Sequence, residues 1–452
     1  MNLKLATSLT LMGLSLSLGT TDAFAANWIK LQGVSPALAP LVSVSGYFEP
    51  AYTYLPGTAA ANGQVPHLNQ IAPNFTSSNS FNIDRARLMI RGNINKDISY
   101  FLAAEFGNNA FTHIGGAYTP ALMDGHVTFS HYIPGVRVEA GIIRAPGPEQ
   151  AMQGYMAYNF TSFANVTTQM MLQPFYNPNP GVMYHNNGTA AAPVYAVPGS
   201  YGEGNNAFRY TGLEAMDWFR NGPWQFTYAA MVGNFGPLTA TNYSNSPLVA
   251  ARLQESYIFG GHGPFQSNLT GFIWYQHATP DIMGQGYSMT RDGLGVTYMQ
   301  GYMHQWGRWA KFEYMRGSGM ISTPAVFSSP VTVAPALQGP ALSDAQVYPG
   351  SQNTAHGYYV SGGLFVTRRV EVDLRYDYYN RLPNIAAQNR TFSTWAVGLQ
   401  YHFTPLTRVI LDYYVRSVGV PHPGAIKPSP TLAESIANSA DNELALQAVI
   451  AF

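Results

Sequence analysis

The 452-residue chain has no formal net charge at pH 7 and no cysteine; 10% of its residues are charged and 13% aromatic. The missing cysteines exclude disulfides, thiolate metal sites and thiol nucleophiles, and the balanced charge points to no nucleic-acid partner. A soluble domain has about a quarter of its residues charged, so a surface so poor in charge and so rich in rings suits a solvent other than water.

At the N-terminus, Lys4 precedes an apolar run from Leu9 to Leu18 and a small-residue cleavage site at Ala23, Phe24 and Ala25. This pattern predicts a secretory signal peptide over 1–25 and a mature chain from Ala26. No later apolar run approaches the roughly 20 residues of a membrane helix. If the mature chain, 26–452, is in a membrane, it must be a closed β-barrel, because only helices and barrels satisfy every backbone group there.

The pattern after residue 40 fits a barrel. A first strand is expected over Leu41 to Tyr54, followed by "FNIDRARLMIRGNINKDISYFLAAEFGNNA" from Phe81. In that stretch Ala86, Leu88 and Ile90 alternate with Arg85, Arg87 and Arg91. Strand residues alternate between faces, so one face is apolar and the other strongly basic. After a turn at Asn93 to Asp97, Ile98, Tyr100, Leu102, Ala104 and Phe106 share one face, and Ser99, Ala103 and Glu105 the other.

Further pairs follow: Gly125 to Tyr132 with Val136 to Arg144, Phe208 to Met216 with Trp224 to Val232, and Ala251 to Phe259 with Ser267 to Gln276. Then come Asp292 to Tyr302 with Trp309 to Met315, Gly357 to Val366 with Val370 to Tyr379, and Ser393 to Phe403 with Thr407 to Val415. A last strand runs from Glu443 to Phe452, giving about sixteen. Long connections follow every odd-numbered strand, at 55–80, 108–121, 146–204, 235–248, 278–289, 318–353, 381–390 and 418–440. The even-numbered strands are followed by short turns. This rhythm predicts an all-β fold, a transmembrane antiparallel barrel with short periplasmic turns and long extracellular loops. Tyr47, Tyr100, Trp224, Tyr376, Tyr401 and Tyr413 suit aromatic girdles at its two interfaces.

Several charged residues fall on the expected lumen face. Arg85, Arg87 and Arg91 could pass an anion along the wall or pair with acids such as Glu105 and Glu139. Arg137 shares a face with Glu139, Lys311 with Glu313, and Arg408 with Asp412. Glu371, Asp373, Arg375 and Asp377 alternate with apolar residues and make one strand acidic on balance. Together they suggest a transverse field between basic and acidic walls. The eleven histidines, His126, His131 and His402 among them, are scattered without an H-x-x-H or E-x-x-H pattern, so neither a metal nor another cofactor is expected. No G-x-S-x-G, G-x-x-x-x-G-K-[ST] or H-E-x-x-H motif marks an enzyme.

The segments "VEAGIIRAPGPE" from Val138, "YAAMVGNF" from Tyr228, "WAKFEYMRG" from Trp309 and "GYYVSGGLFVT" from Gly357 join the Arg-rich stretch in one order. With "WAVGLQYHFTPLTRVILDYYV" from Trp395 and the closing "LALQAVIAF", they resemble the phosphate-selective porin family (porin O and P) of Gram-negative outer membranes. The resemblance implies a sixteen-stranded homotrimeric porin in the outer-membrane lipid, passing small anions or other hydrophilic solutes by diffusion. It also implies an inward-folding third loop, so 146–204 is the candidate constriction loop. That loop departs from the family's basic filter, for Pro146 to Asn205 contains no Lys or Arg and instead carries Met152, Met156, Met170, Met171 and Met183. Only the porin role and an anion preference are therefore expected, with phosphate-like anions among the possible solutes but no phosphate specificity carried over. The runner-up is a barrel serving as a sheath or surface partner, for instance around a periplasmic electron carrier. The loops 55–80, 235–248 and 318–353 hold almost no ionisable groups, which would suit an acidic habitat.

Overall fold

A computed structural model describes residues 42–55, 79–109, 111–114, 117–153, 158–173, 175–178, 185–186, 188–198, 206–238, 242–261, 266–323, 344–426 and 442–452, with isolated positions between 431 and 438. The expected leader 1–25, most of connection 55–80, Met156 and Met183 lie outside the described residues.

Sixteen strands form one closed barrel. The first eight are β1 Ser43–Tyr54, β2 Asn79–Asn93, β3 Ile98–Glu105, β4 Ala121–Ile133, β5 Val136–Arg144, β6 Arg209–Asn221, β7 Trp224–Gly233 and β8 Leu248–Gly260. The second eight are β9 Ser267–Ala278, β10 Met289–Gln300, β11 Arg308–Ser318, β12 Thr354–Phe365, β13 Val370–Arg381, β14 Arg390–Thr404, β15 Thr407–Gly419 and β16 Glu443–Ala451. Each strand pairs antiparallel with the next, and β1 closes on β16 with Tyr54 opposite Leu444 and Tyr47 opposite Ala451. The terminal Phe452 completes the seam, exchanging backbone hydrogen bonds of 2.9 and 3.0 Å with Gly46. Its ring lies over Gly46, where a Cβ would crowd it at 2.5 Å.

Alternation sorts the faces as the pleat requires. On β9, Leu269, Ile273 and Tyr275 are exposed outward, while Asn268, Thr270, Phe272, Trp274 and Gln276 are buried inward. On β13, Glu371, Asp373, Arg375 and Asp377 all point inward, and Val372 and Leu374 point out. Two aromatic belts bound the apolar outer band. Trp224, Tyr257, Phe259 and Tyr298 form a chain of ring contacts 4.9 to 6.4 Å apart near the short turns. Tyr358, Tyr376 and Trp395 lie on the outer face toward the other rim, at 6.2 and 4.7 Å. An apolar outer band between two such belts, on a closed sheet without edges, is an outer-membrane spanning barrel. Tyr47 departs from the expected girdle: it faces inward, buried beneath the Arg87 guanidinium at 5.4 Å.

Strand ends run past the apolar pattern. β2 starts at Asn79, above the alternating apolar stretch that begins near Arg85, because polar residues can extend the ladder above the membrane. Inside, bulky rings rest on glycines of the next strand. A Cβ at Gly293 would stand 2.6 to 2.7 Å from the Trp274 indole, which donates to Glu313 at 2.8 Å. Gly293→Ala should therefore displace that indole and lower stability by about 1–3 kcal/mol, the usual cost of overpacking. Denaturant unfolding measures it, and an unshifted midpoint would show that the ring moves freely.

Candidate functional site

The third long connection enters the barrel. After β5 it makes a helical turn at Glu149–Met152, crosses the interior, and forms a π-helical turn at Thr167–Met171. The wall holds it by its backbone. Arg252 of β8 donates to the Gly147 carbonyl at 2.7 Å and to the Glu149 carboxylate at 2.6 Å, with its guanidinium 3.9 Å over the Phe272 ring. Glu313 of β11 accepts from the Glu149 N–H, Trp274 and Tyr359 at 2.8 to 3.1 Å. Lys311 donates to Gln153 and Asn159, both at 3.1 Å.

Farther along, Arg408 of β15 donates to the Tyr158 carbonyl, and Gln400 of β14 to the Asn159 carbonyl at 3.1 Å. Asp412 accepts the Thr161 N–H at 2.6 Å and the Tyr414 hydroxyl at 2.8 Å. Arg375 donates to the carbonyls of Ser162 at 2.7 Å and Phe163 at 3.3 Å, and Asp377 accepts from the Asn165 backbone and side-chain N–H groups at 3.0 and 2.6 Å. A loop without Lys or Arg is thus fixed by a charged wall, cations to its carbonyls and carboxylates to its N–H groups. On this side the charges expected to make a transverse field also anchor the loop: Lys311, Glu313, Arg375, Arg408 and Asp412 each bind it. Glu371 joins the same net, accepting from Trp309 and from His402 Nε2 at 2.7 Å. Asp373 accepts from Gln400.

The basic face of β2 lies on the other bank. Arg85 forms an ion pair with Glu49 and Arg87 with Glu105, each at 2.6 Å. Arg87 is only 7% exposed. Pairing with wall acids therefore accounts for two of the three arginines, and Arg91 stands half-buried nearer the periplasmic turn. Arg137 is corrected: it lies 3.6 Å from Asp217 and 4.1 Å over the Trp218 ring rather than against Glu139. Glu139 instead accepts from Thr128 at 3.0 Å and stands opposite Glu214 in the ladder.

Sequence reasoning missed Arg144 and Arg209, opposite each other on β5 and β6. Arg209 forks onto Asp124 at 3.0 and 3.1 Å, and Arg144 donates to the Met152 and Gln153 carbonyls at 3.1 Å each. The signal for Arg144 was present, since it ends β5 where the loop begins. Arg252 and Glu149 gave no signal, because they meet across 103 residues.

Toward the extracellular mouth the interior becomes apolar. Phe175, Tyr176 and Tyr195 of the third loop pack with Met231, Leu248, Ala250, Met289 and Met320. Above them a four-stranded sheet joins the third and sixth long loops, in the order Ile321–Ser322, Asp344–Tyr348, Tyr195–Pro198, His185–Asn186. Burial raises the phenol pKa of Tyr176 and Tyr348 above the ordinary value, so these hydroxyls stay neutral. Among the described residues no group of three His, Asp or Glu side chains could hold a metal.

No protein-family model and no curated protein matches the sequence. Among solved structures, the chain is similar to OmpF of Salmonella typhi, solved in complex with daunomycin, with a TM-score of 0.51, 11% identity, and 91% of this chain and 97% of that one covered. It is also similar to the outer membrane channel DcaP of Acinetobacter baumannii, with a TM-score of 0.49 and 10% identity over 91% of this chain and 97% of that one. An anion-selective porin from Comamonas acidovorans gives 0.48 and 12% over 91% and 99%. Identity this low leaves solutes and partners to be argued from the chain's own residues, and what the OmpF likeness establishes is that this chain has the sixteen-stranded barrel fold of an outer-membrane porin.

Proposed function

We propose that the protein is a passive diffusion channel for small hydrophilic solutes, with a modest preference for anions and no phosphate specificity. The observation that supports this reading is the lateral placement of the inward loop. Beyond the Arg144 contacts at its root on β5, its hydrogen bonds draw residues 147–153 and 158–165 toward β8, β11 and β13 to β15. The route for solutes then runs between the loop and the bank carrying Arg85, Arg87, Arg91 and Arg137. Two of these are matched closely by carboxylates, so the wall is polar without being a strong anion trap. The preference rests on Arg91 and on the loose Arg137 contact. Three copies would associate through the apolar outer face of β1 to β5, where Ala86, Ala104, Gly125 and Ala140 let backbones approach. Export would remove residues 1–25.

The test is the zero-current potential of single refolded channels in a KCl gradient, at pH 7 and near pH 3. The expected result is a modest anion preference that collapses towards no selectivity in Arg91→Ala with Arg137→Ala and changes less in Arg85→Ala with Arg87→Ala. A larger preference at pH 3 would support life in acid. Open channels with unaltered selectivity in all variants would sink the arginine assignment, and absence of conductance would favour the sheath reading.

A further inference from the structure

The outer face of β10 to β12 carries charge where a membrane barrel should be apolar. Asp292, Arg316 and His356 stand opposite one another in successive ladders, each at an outward position between inward Arg291, Met315 and Ala355. Arg316 is 62% exposed and Asp292 31%. Their contact is loose: Nε and Nη2 both reach the same carboxylate oxygen, at 3.3 and 3.2 Å, so the fork is not closed on its acid. His356 leans on Tyr314 with ring centroids 6.5 Å apart.

The position of the row decides what it meets. Arg316 lies two residues before the end of β11 and His356 two after the start of β12, at the ends joined by a long loop. One step toward the membrane, Tyr314 and Tyr358 are paired in the next outward row and belong to the extracellular belt. The charges therefore sit just outside the hydrocarbon, at headgroup depth. At that depth Arg316, engaged through one oxygen of Asp292, keeps the rest of its guanidinium open to the headgroups. Guanidinium and imidazole groups beside tyrosine hydroxyls match an oxyanion.

We propose that Arg316 and His356 form a docking site for the phosphate of an acylated sugar-phosphate lipid in the outer leaflet, with the tyrosine row below supporting its acyl chains. The site lies outside the barrel and does not depend on which solutes cross the interior.

The experiment uses the full-length protein in detergent micelles, mixed with an acylated glucosamine disaccharide bearing two phosphates, with its dephosphorylated form, or with inorganic phosphate. Native mass spectrometry counts retained lipid. The phosphorylated lipid should be retained, and Arg316→Ala with His356→Ala should lower retention by at least about tenfold, as expected when the charge-assisted contact of Arg316 and the imidazole contact of His356 are both lost. The variant should keep the heat-modifiable migration of a folded barrel. Should it fail to fold, Arg316→Lys, which keeps the charge without the fork, should give intermediate retention. Equal retention of the dephosphorylated lipid, or unchanged retention by every variant, overturns the proposal. So does displacement of the lipid by inorganic phosphate, which would make the site one for the free ion, or loss of oligomers in the variant, which would make the row a contact between copies.

Discussion

Replacing Asp377 and Asp412 by alanine is expected to loosen the inward loop and make single-channel currents noisy, with frequent excursions to larger conductance. The two carboxylates accept from the backbone N–H groups of Asn165 and Thr161 at 3.0 and 2.6 Å, far along the loop from its helical turn. A hydrogen bond to a charged group contributes about 1.5–3 kcal/mol, so each substitution should raise the population of the detached loop by about 10- to 150-fold. The fraction of time spent in high-conductance states reads this directly. Asp377→Asn with Asp412→Asn keeps an acceptor without the charge and should fall between the parent and the alanine variant. Currents as quiet as the parent's in both variants would mean that the apolar packing of Val166 and Met170 holds the loop unaided.

Arg375→Ala should give the largest loss of stability of any single change on this wall. The guanidinium holds two loop carbonyls, pairs with Asp377 at 3.2 Å and stacks 4.7 Å from the Phe160 ring. Its removal leaves the fully buried Asp377 without its cation, and breaking a buried pair from one side costs about 3–5 kcal/mol. The urea midpoint of the folded barrel in detergent measures the loss. Arg375→Lys should recover only part of it, because an ammonium cannot serve three acceptors in one plane. A midpoint within error of the parent would show that water enters and solvates Asp377.

The barrel was legible in the sequence because its physics is local. A two-residue period, with short and long connections in turn, carried both strand number and facing, and Leu102 beside Glu105 already assigns lipid and lumen on β3. The site was less legible because its partners are remote. Lys311, Arg375 and Arg408 were visible as inward cations, but nothing in their neighbourhoods says that their acceptors are carbonyls of residues 158–163 or the side chains of Gln153 and Asn159. Spacing along one strand suggested that Arg137 and Glu139 neutralise each other. Side chains two apart on a strand are farther from each other than from residues opposite them on the next strand or on the loop, so the cross-ladder partners prevailed. The absence of Lys and Arg from the third loop was read as an incomplete anion filter. It also reflects a division of labour in which the wall supplies charge and the loop supplies backbone.

The pairing of Asp344–Tyr348 with Tyr195–Pro198 ties together two loops that face the cell's surroundings. Surface loops ordinarily vary by insertion and deletion, each on its own. Here the union is made by main-chain hydrogen bonds, which are indifferent to side-chain identity but intolerant of a change in register. A substitution can therefore leave the union in place, whereas a lengthening within either strand would have to be matched in the other. Change at these two loops should accordingly proceed by substitution, and change in length should fall elsewhere.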